Sequence, residues 1–395
     1  MLKPSVSNAQ ELRLEGQDLA IKEDDKLGEE LNLRRKLLQS SVVKRISELR
    51  EDGKSSAPWV VELDPTSACN LVCPDCISKD LLNQGGFESQ RLREIAQELV
   101  EAGVRAVILI GGGEPLAHKE TAWVIDYLST HGVDVGVTTN GTLIDRHMDV
   151  LAQHTKWVRV SVDAGTPDTF QYFRPSPNGK SKFDEVIDNM RELARRKTGK
   201  MGYSFLLLSD FDLEGKRPPR TNFDEVVTAA HIAKEIGCDY FEIKPCYDFD
   251  HFLIDQPDAH LAVAREQIDR ARELSDDNFR VITPATLDFV LNNEPLVQPK
   301  DYNRCVISEM RTLITPSGAY VCPYFRGMPK KMIGDPVTQS FKEIWESSKR
   351  HAVTDATDPS KDCRFHCIRH KSNMVIEEML TGTDHETVDD YDMFI

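Results

Sequence analysis

The chain has 395 residues, a formal net charge of −16 and nine cysteines, enough length for two domains or one large α/β domain with additions. No basic stripe of the kind that tracks a nucleic-acid backbone is present, so nucleic acid is not an expected partner. No apolar run approaches the ~18 residues of a membrane span and the polar N-terminus has no signal-peptide core, so a cytoplasmic chain with no membrane contact is expected, where disulfides are rare.

Residues 1–55 read as a charged helical extension: Leu38, Val42, Ile46 and Leu49 recur at helical spacing beside Arg34, Arg35, Lys36, Lys44 and Arg45. From Trp59 onward, short β-branched runs alternate with amphipathic patterns. The predicted strands are Trp59–Leu63, Ala106–Ile110, Val133–Thr138, Trp157–Val162, Tyr203–Leu208 and Tyr240–Lys244. Between the first two, Leu92, Ile95, Ala96, Leu99 and Val100 make one apolar helix face that stops at Gly103. Strands alternating with helices imply a parallel sheet, and six such units suit an open barrel or a doubly wound sheet. After about residue 285 the alternation weakens and turn residues increase. A boundary is expected there, with an acidic, mobile tail after Thr381.

Seven of the nine cysteines fall into two spaced groups, a use that favours metal. Cys69, Cys73 and Cys76 stand in a C-x3-C-x2-C loop directly after the first strand. A structural zinc site takes four protein ligands. Three thiolates suit a 4Fe–4S cluster that keeps one iron open for another ligand. Gly111-Gly112-Gly113-Glu114-Pro115 follows the second strand, Thr138-Thr139-Asn140-Gly141-Thr142 closes the third, and Arg159-Val160-Ser161-Val162-Asp163 spans the fourth. All fall at the C-terminal ends of strands, where parallel α/β sheets bind ligands. Taken singly, a glycine cluster or an Asn-Gly pair is an ordinary turn.

In that order and spacing, the loop and the three segments resemble the radical S-adenosylmethionine (SAM) superfamily over roughly residues 56–285. The resemblance implies a partial (β/α)6 TIM-like barrel. It implies a SAM-binding 4Fe–4S cluster on Cys69, Cys73 and Cys76, with SAM held by Gly112, Gly113, Glu114, Thr139, Asn140, Ser161 and Asp163. Arg174, in FRPSPNGK, is a candidate for the SAM carboxylate, because a guanidinium pairs with carboxylates through two hydrogen bonds. Residues 286–395, with ITPSGAYVCPYF and Cys305, Cys322, Cys363 and Cys367, resemble the cysteine-rich twitch or SPASM extension. That resemblance implies a second, auxiliary 4Fe–4S cluster. Four thiolates also suit zinc, and His366 or His370 could replace a thiolate given the unusual C-x3-C pair.

The chemistry so implied is reductive cleavage of SAM to a 5′-deoxyadenosyl radical that takes a hydrogen atom from a substrate. Dehydrogenation or epimerisation of a small polar molecule such as a sugar or aminocyclitol is the expectation. An electron donor such as flavodoxin or ferredoxin is implied as partner. A peptide substrate and a peptide-maturase activity form the first alternative, and a non-catalytic zinc-stabilised binding protein the second. Cys246, just past the sixth strand, is a candidate hydrogen-atom donor, with Lys244 and Tyr247 as neighbouring substrate contacts. Cys238 reads as a small core residue.

Overall fold

The computed structural model describes residues 32–210, 220–246, 258–284, 287, 291–292, 300–363, 367, 369–382 and 386–395. Tyr247 and His366 lie outside the described residues, as do residues 1–31 of the N-terminal extension.

The strands are β1 (Val60–Leu63), β2 (Ala106–Leu109), β3 (Asp134–Thr139), β4 (Trp157–Ser161), β5 (Lys200–Leu207), β6 (Ser209–Asp210), β7 (Arg220–Thr221), β8 (Tyr240–Pro245), β9 (Arg280–Ile282), β10 (Arg311–Thr315), β11 (Gly318–Tyr320) and β12 (Met332–Gly334). All six expected strands form. β6 and β7 make a separate two-stranded pair, and the rest form one sheet in the order β12-β11-β10-β1-β2-β3-β4-β5-β8-β9. Every pairing from β10 to β9 is parallel, and within this sheet the β10–β11 and β11–β12 pairings are antiparallel. The architecture is that of an open, partial TIM-like barrel. β9 and β10 lengthen it beyond the six expected units. β10 sits beyond the expected boundary near residue 285, yet it docks beside β1 with Val60 opposite Arg311.

The alternation along each strand separates two environments. Val61, Leu63, Val107, Leu109, Val135, Val137, Val158, Val160, Phe241 and Ile243 face the helices and are fully or almost fully buried. The helix Ser89–Glu101 meets them with Leu92, Ile95, Ala96 and Leu99, the face expected from spacing. Each such large aliphatic side chain contributes about 1.5–3 kcal/mol by leaving water. The opposite strand face, toward the lumen, carries Glu62, Thr138, Arg159, Ser161, Ser204, Glu242 and Lys244.

A second apolar cluster closes the N-terminal end of the barrel. It joins Leu37, Val42, Ile46 and Leu49 of the N-terminal helices to Val375, Ile376 and Met379 of the helix His370–Leu380, and to Trp59, Ala106, Phe394 and Ile395. Where it is described, the tail packs against the body of the chain. Gln39 accepts from the backbone N–H of Tyr391 and Asp392, Trp59 Nε1 donates to Met393 O at 3.1 Å, and Phe394 stacks edge-on against Trp157. Acidic composition hid two apolar residues that fill the barrel's floor. With that end plugged, access is left to the opposite mouth.

Candidate active site

Four loops converge at the mouth. The cysteine loop leaves β1 through Asp64 and is pinned on several sides. Ala68 N donates to Thr66 Oγ1 at 3.0 Å, Cys69 N to Asn83 Oδ1 at 3.2 Å, and Val72 N to Pro175 O at 2.9 Å. The loop after β2 joins it where Glu114 N donates to Ala68 O at 2.8 Å. That approach requires glycine at 113: a Cβ there would lie 2.3 Å from Ala68 O and 2.5 Å from Ser67 C. At Gly112 the nearest atom would be Asp64 Oδ2 at 3.3 Å.

Glu114 ties this loop to the next. Its carboxylate accepts from Thr139 Oγ1 at 2.7 Å, Asn140 N at 2.7 Å and Leu116 N at 3.0 Å, and it is 2% exposed. Burial raises its pKa against the pull of these donors. The side chain thus braces two loops within the protein. Asn140 then reaches the cysteines. Its Nδ2 lies 3.9 Å from Cys69 Sγ and donates to Asn70 Oδ1 at 2.9 Å, while Asn70 Nδ2 donates to Thr142 Oγ1 at 2.7 Å.

Asp163 adopts a left-handed backbone, φ 57°, a conformation costly for a non-glycine residue and typical of constrained sites. Four contacts hold it: Oδ1 accepts from Leu206 N at 2.7 Å, Oδ2 from Arg174 Nε at 2.7 Å, its carbonyl from Asn222 Nδ2 at 2.8 Å, and its N–H donates to Ser204 O at 3.3 Å. Arg174 thereby pairs with Asp163. Its charge also faces Cys69 and Cys73, where it opposes the rise that burial imposes on both thiols; Cys73 stands at about 11. Ser161 sits on the lumen face opposite Ser204. Cys246, half-buried, ends the chain's passage along β8.

The second cysteine set also assembles. Cys305 precedes β10, Cys322 follows β11, and Cys363 and Cys367 flank the approach to the last helix. Burial first, and then one another's charge, push Cys305 up to about 12 and Cys363 to about 11, and Cys322 is also raised. His370 does not join them; it stacks on Tyr302, whose hydroxyl pairs with its Nδ1 at 2.9 Å. Among the described residues, no three His, Cys, Asp or Glu side chains close on a single-ion position. A lone zinc needs its thiolates within about 4 Å of one another; a cluster, whose thiolates attach to different irons, does not.

Sequence reasoning missed Asp64 and Arg326. Asp64 is 1% exposed and forms an ion pair with Arg326, Nη2 to Oδ1 at 3.0 Å and Nε to Oδ2 at 2.8 Å. Burial holds Asp64 up at about 6 even against that partner. Arg326 lies four residues past Cys322, so the pair joins the second cysteine set to the root of the first. No local pattern signals it. Asn70 and Asn83 were also missed, although asparagines within and beside a cysteine loop are visible candidates for turning it.

Residues 63–215 match the family model described as the radical SAM superfamily. The match covers 153 of the chain's 395 residues. Mycofactocin maturase MftC of Mycobacterium tuberculosis is 30% identical over 158 residues, 39% of each chain. The AdoMet-dependent heme synthase of Methanosarcina barkeri is 24% identical over 188 residues, 46% of this chain and 49% of that one. The chain thus spans less than half the length of these two relatives. In fold it is similar to Streptococcus suis SuiB bound to precursor peptide SuiA, with a TM-score of 0.58 at 14% identity over 80% of this chain and 71% of that one. It is also similar to anSMEcpe with bound AdoMet, TM-score 0.55 at 15% identity over 82% and 97%. At these identities the structural likeness is one of fold: a barrel with a C-terminal extension shared with those two proteins. Among the described residues no helix is long and apolar enough to cross a membrane.

Proposed function

We propose that Cys69, Cys73 and Cys76 hold the SAM-binding cluster and that Cys305, Cys322, Cys363 and Cys367 hold an auxiliary one. The donor sets suit iron–sulfur chemistry: soft sulfurs, three on one short loop and four around a second locus. When bound, the cofactors supply a 5′-deoxyadenosyl radical and an acceptor for the electron that hydrogen abstraction leaves behind. The protein's own part is placement. Gly112 and Gly113 expose backbone groups beside the cysteine loop, Thr139 and Asn140 brace it, and Asp163 with Ser161 offers polar contacts on the lumen side. Arg174 stands ready for a carboxylate next to the cysteines. The floor of Phe394 and Ile395 closes the far end of the barrel to water.

The observation that carries this reading is the contact of Asn140 with Cys69 Sγ while the same residue's backbone binds Glu114. Three motifs from three strands meet around one sulfur. The proposed outcome is a two-electron oxidation at a C–H bond. Epimerisation is the variant in which Cys246 returns a hydrogen atom. A peptide substrate is the second reading, favoured by the maturase among the relatives and by the peptide complex among the structural neighbours. Anaerobic reconstitution followed by SAM and reductant should yield 5′-deoxyadenosine. A fully loaded protein that makes none would exclude radical SAM chemistry.

A further inference from the structure

The lumen wall formed by β4 and β8 carries a charge imbalance. Arg159 Nη1 and Lys244 Nζ both donate to one oxygen, Glu242 Oε2, at 3.3 and 3.1 Å. Two cations on one carboxylate leave one positive charge over. Burial would raise the Glu242 pKa, but Lys244 and Arg159 hold it at about 2; burial and Arg159 in turn lower Lys244, with Glu242 opposing them. Arg159 is not fully used within the protein. Its remaining bond, to Thr138 Oγ1, is 3.3 Å long, and its Nε has no hydrogen-bond partner. A buried guanidinium N–H without an acceptor is costly and calls for one. The three side chains are 27%, 22% and 26% exposed, so they front open lumen and not the packed core.

The facing wall does not cancel the surplus. There Arg311 pairs with Glu62 at 2.9 Å and also binds Ile395 O. This happens inside a chain whose net charge is −16, so the cationic lumen does not follow from composition. Lys244 also feels the charge of Asp163.

We propose that this lumen binds the carboxylate of the substrate, with Lys244 and Arg159 as its anchors and Glu242 as the internal counter-ion with which that carboxylate competes. One surplus charge matches a single carboxylate, and a guanidinium beside an ammonium suits its two oxygens. A substrate whose only charge is an ammonium, such as an aminocyclitol, would meet repulsion. The proposal rests on the reading that a radical SAM substrate occupies this lumen.

The test is ligand-observed NMR on the anaerobically reconstituted holoprotein with SAM, using matched acid and amide probes. Glutarate against glutaramide represents a free acid. Capped N-acetylglutamate N-methylamide against its glutamine counterpart represents an acidic residue within a peptide. We expect one or both acids to bind above their amides, and the better acid identifies the source. Lys244→Gln and Arg159→Gln should each weaken acid binding by roughly tenfold or more. Glu242→Gln should tighten it several-fold, because the competing internal carboxylate is gone. A triad that serves only folding would show no such gain. Equal binding of acids and amides, absence of acid binding, or loss of affinity in Glu242→Gln would overturn the proposal. Whether the wild-type protein makes 5′-deoxyadenosine is read separately, so failure of the carboxylate site and failure of the radical reading remain distinct.

Discussion

Cys69, Cys73 and Cys76 lie on one loop, shaped by hydrogen bonds to Asn83, Asn140 and the Gly113–Glu114 backbone. Cys305, Cys322, Cys363 and Cys367 come from the start of β10, the end of β11 and the approach to the last helix. The first set is local in sequence and depends on neighbouring loops for its shape. The second exists only after β10 has crossed the expected boundary and paired with β1. A metal that ties distant segments contributes more to folding than one held by a single loop, because it closes longer loops. On the proposed assignment, the first set should matter mainly for chemistry and the second for both chemistry and stability.

Replacing one member of each set tests this most strongly. Cys76→Ala is expected to abolish 5′-deoxyadenosine formation outright while leaving the thermal transition of the reconstituted protein within a few degrees of wild type. Cys322→Ala should retain SAM cleavage, lower bound iron from about eight to about four per chain, and lower the transition temperature more than Cys76→Ala does. Equal destabilisation by the two variants would remove the contrast.

Two adjacent glycines give a second, smaller contrast. Gly113→Ala forces a Cβ into the backbone of Ser67 and Ala68, which cannot move without shifting the cysteine loop. Its iron content and SAM cleavage should fall at least tenfold. Gly112→Ala meets only the Asp64 carboxylate at 3.3 Å and should assemble its cluster normally. If the two behave alike on iron content, the close approach at Gly113 is not what shapes the loop.

Much of the first set was legible in the chain: the C-x3-C-x2-C spacing, the glycines after β2 and the Asn-Gly after β3 each place a chemical group at a strand end by local rules alone. The role of the Glu114 side chain was not legible, because a carboxylate in a glycine motif looks available until Thr139 and Asn140 are seen to occupy it. Strand β10 was missed as part of the barrel because parallel pairing leaves no local signature. The lumen triad was invisible for the same reason. Arg159 and Glu242 are 83 residues apart, and neither strand shows which charge it will face.

The smallest effect concerns the joint between the two sets, Asp64 with Arg326. Burial raises Asp64 from 3.8 to about 6, with Arg326 as the chief opposing influence. Between those values the folded chain holds a proton that the unfolded chain has lost. Stability from this group is therefore present at low pH and declines as pH rises through about 6. Asp64→Asn lacks that decline, so its stability relative to wild type should improve from about pH 4 to pH 7 and then level off. The total change is at most about 3 kcal/mol for a shift near two units. Any constant cost of leaving Arg326 unpaired drops out of this slope. Arg326→Gln, by removing the cation that favours ionised Asp64, should move the same decline to higher pH. Urea unfolding of the metal-free variants across that range measures both. Parallel pH profiles for wild type and Asp64→Asn would mean that Asp64 titrates like an exposed carboxylate, and that the joint is looser than its two short contacts imply.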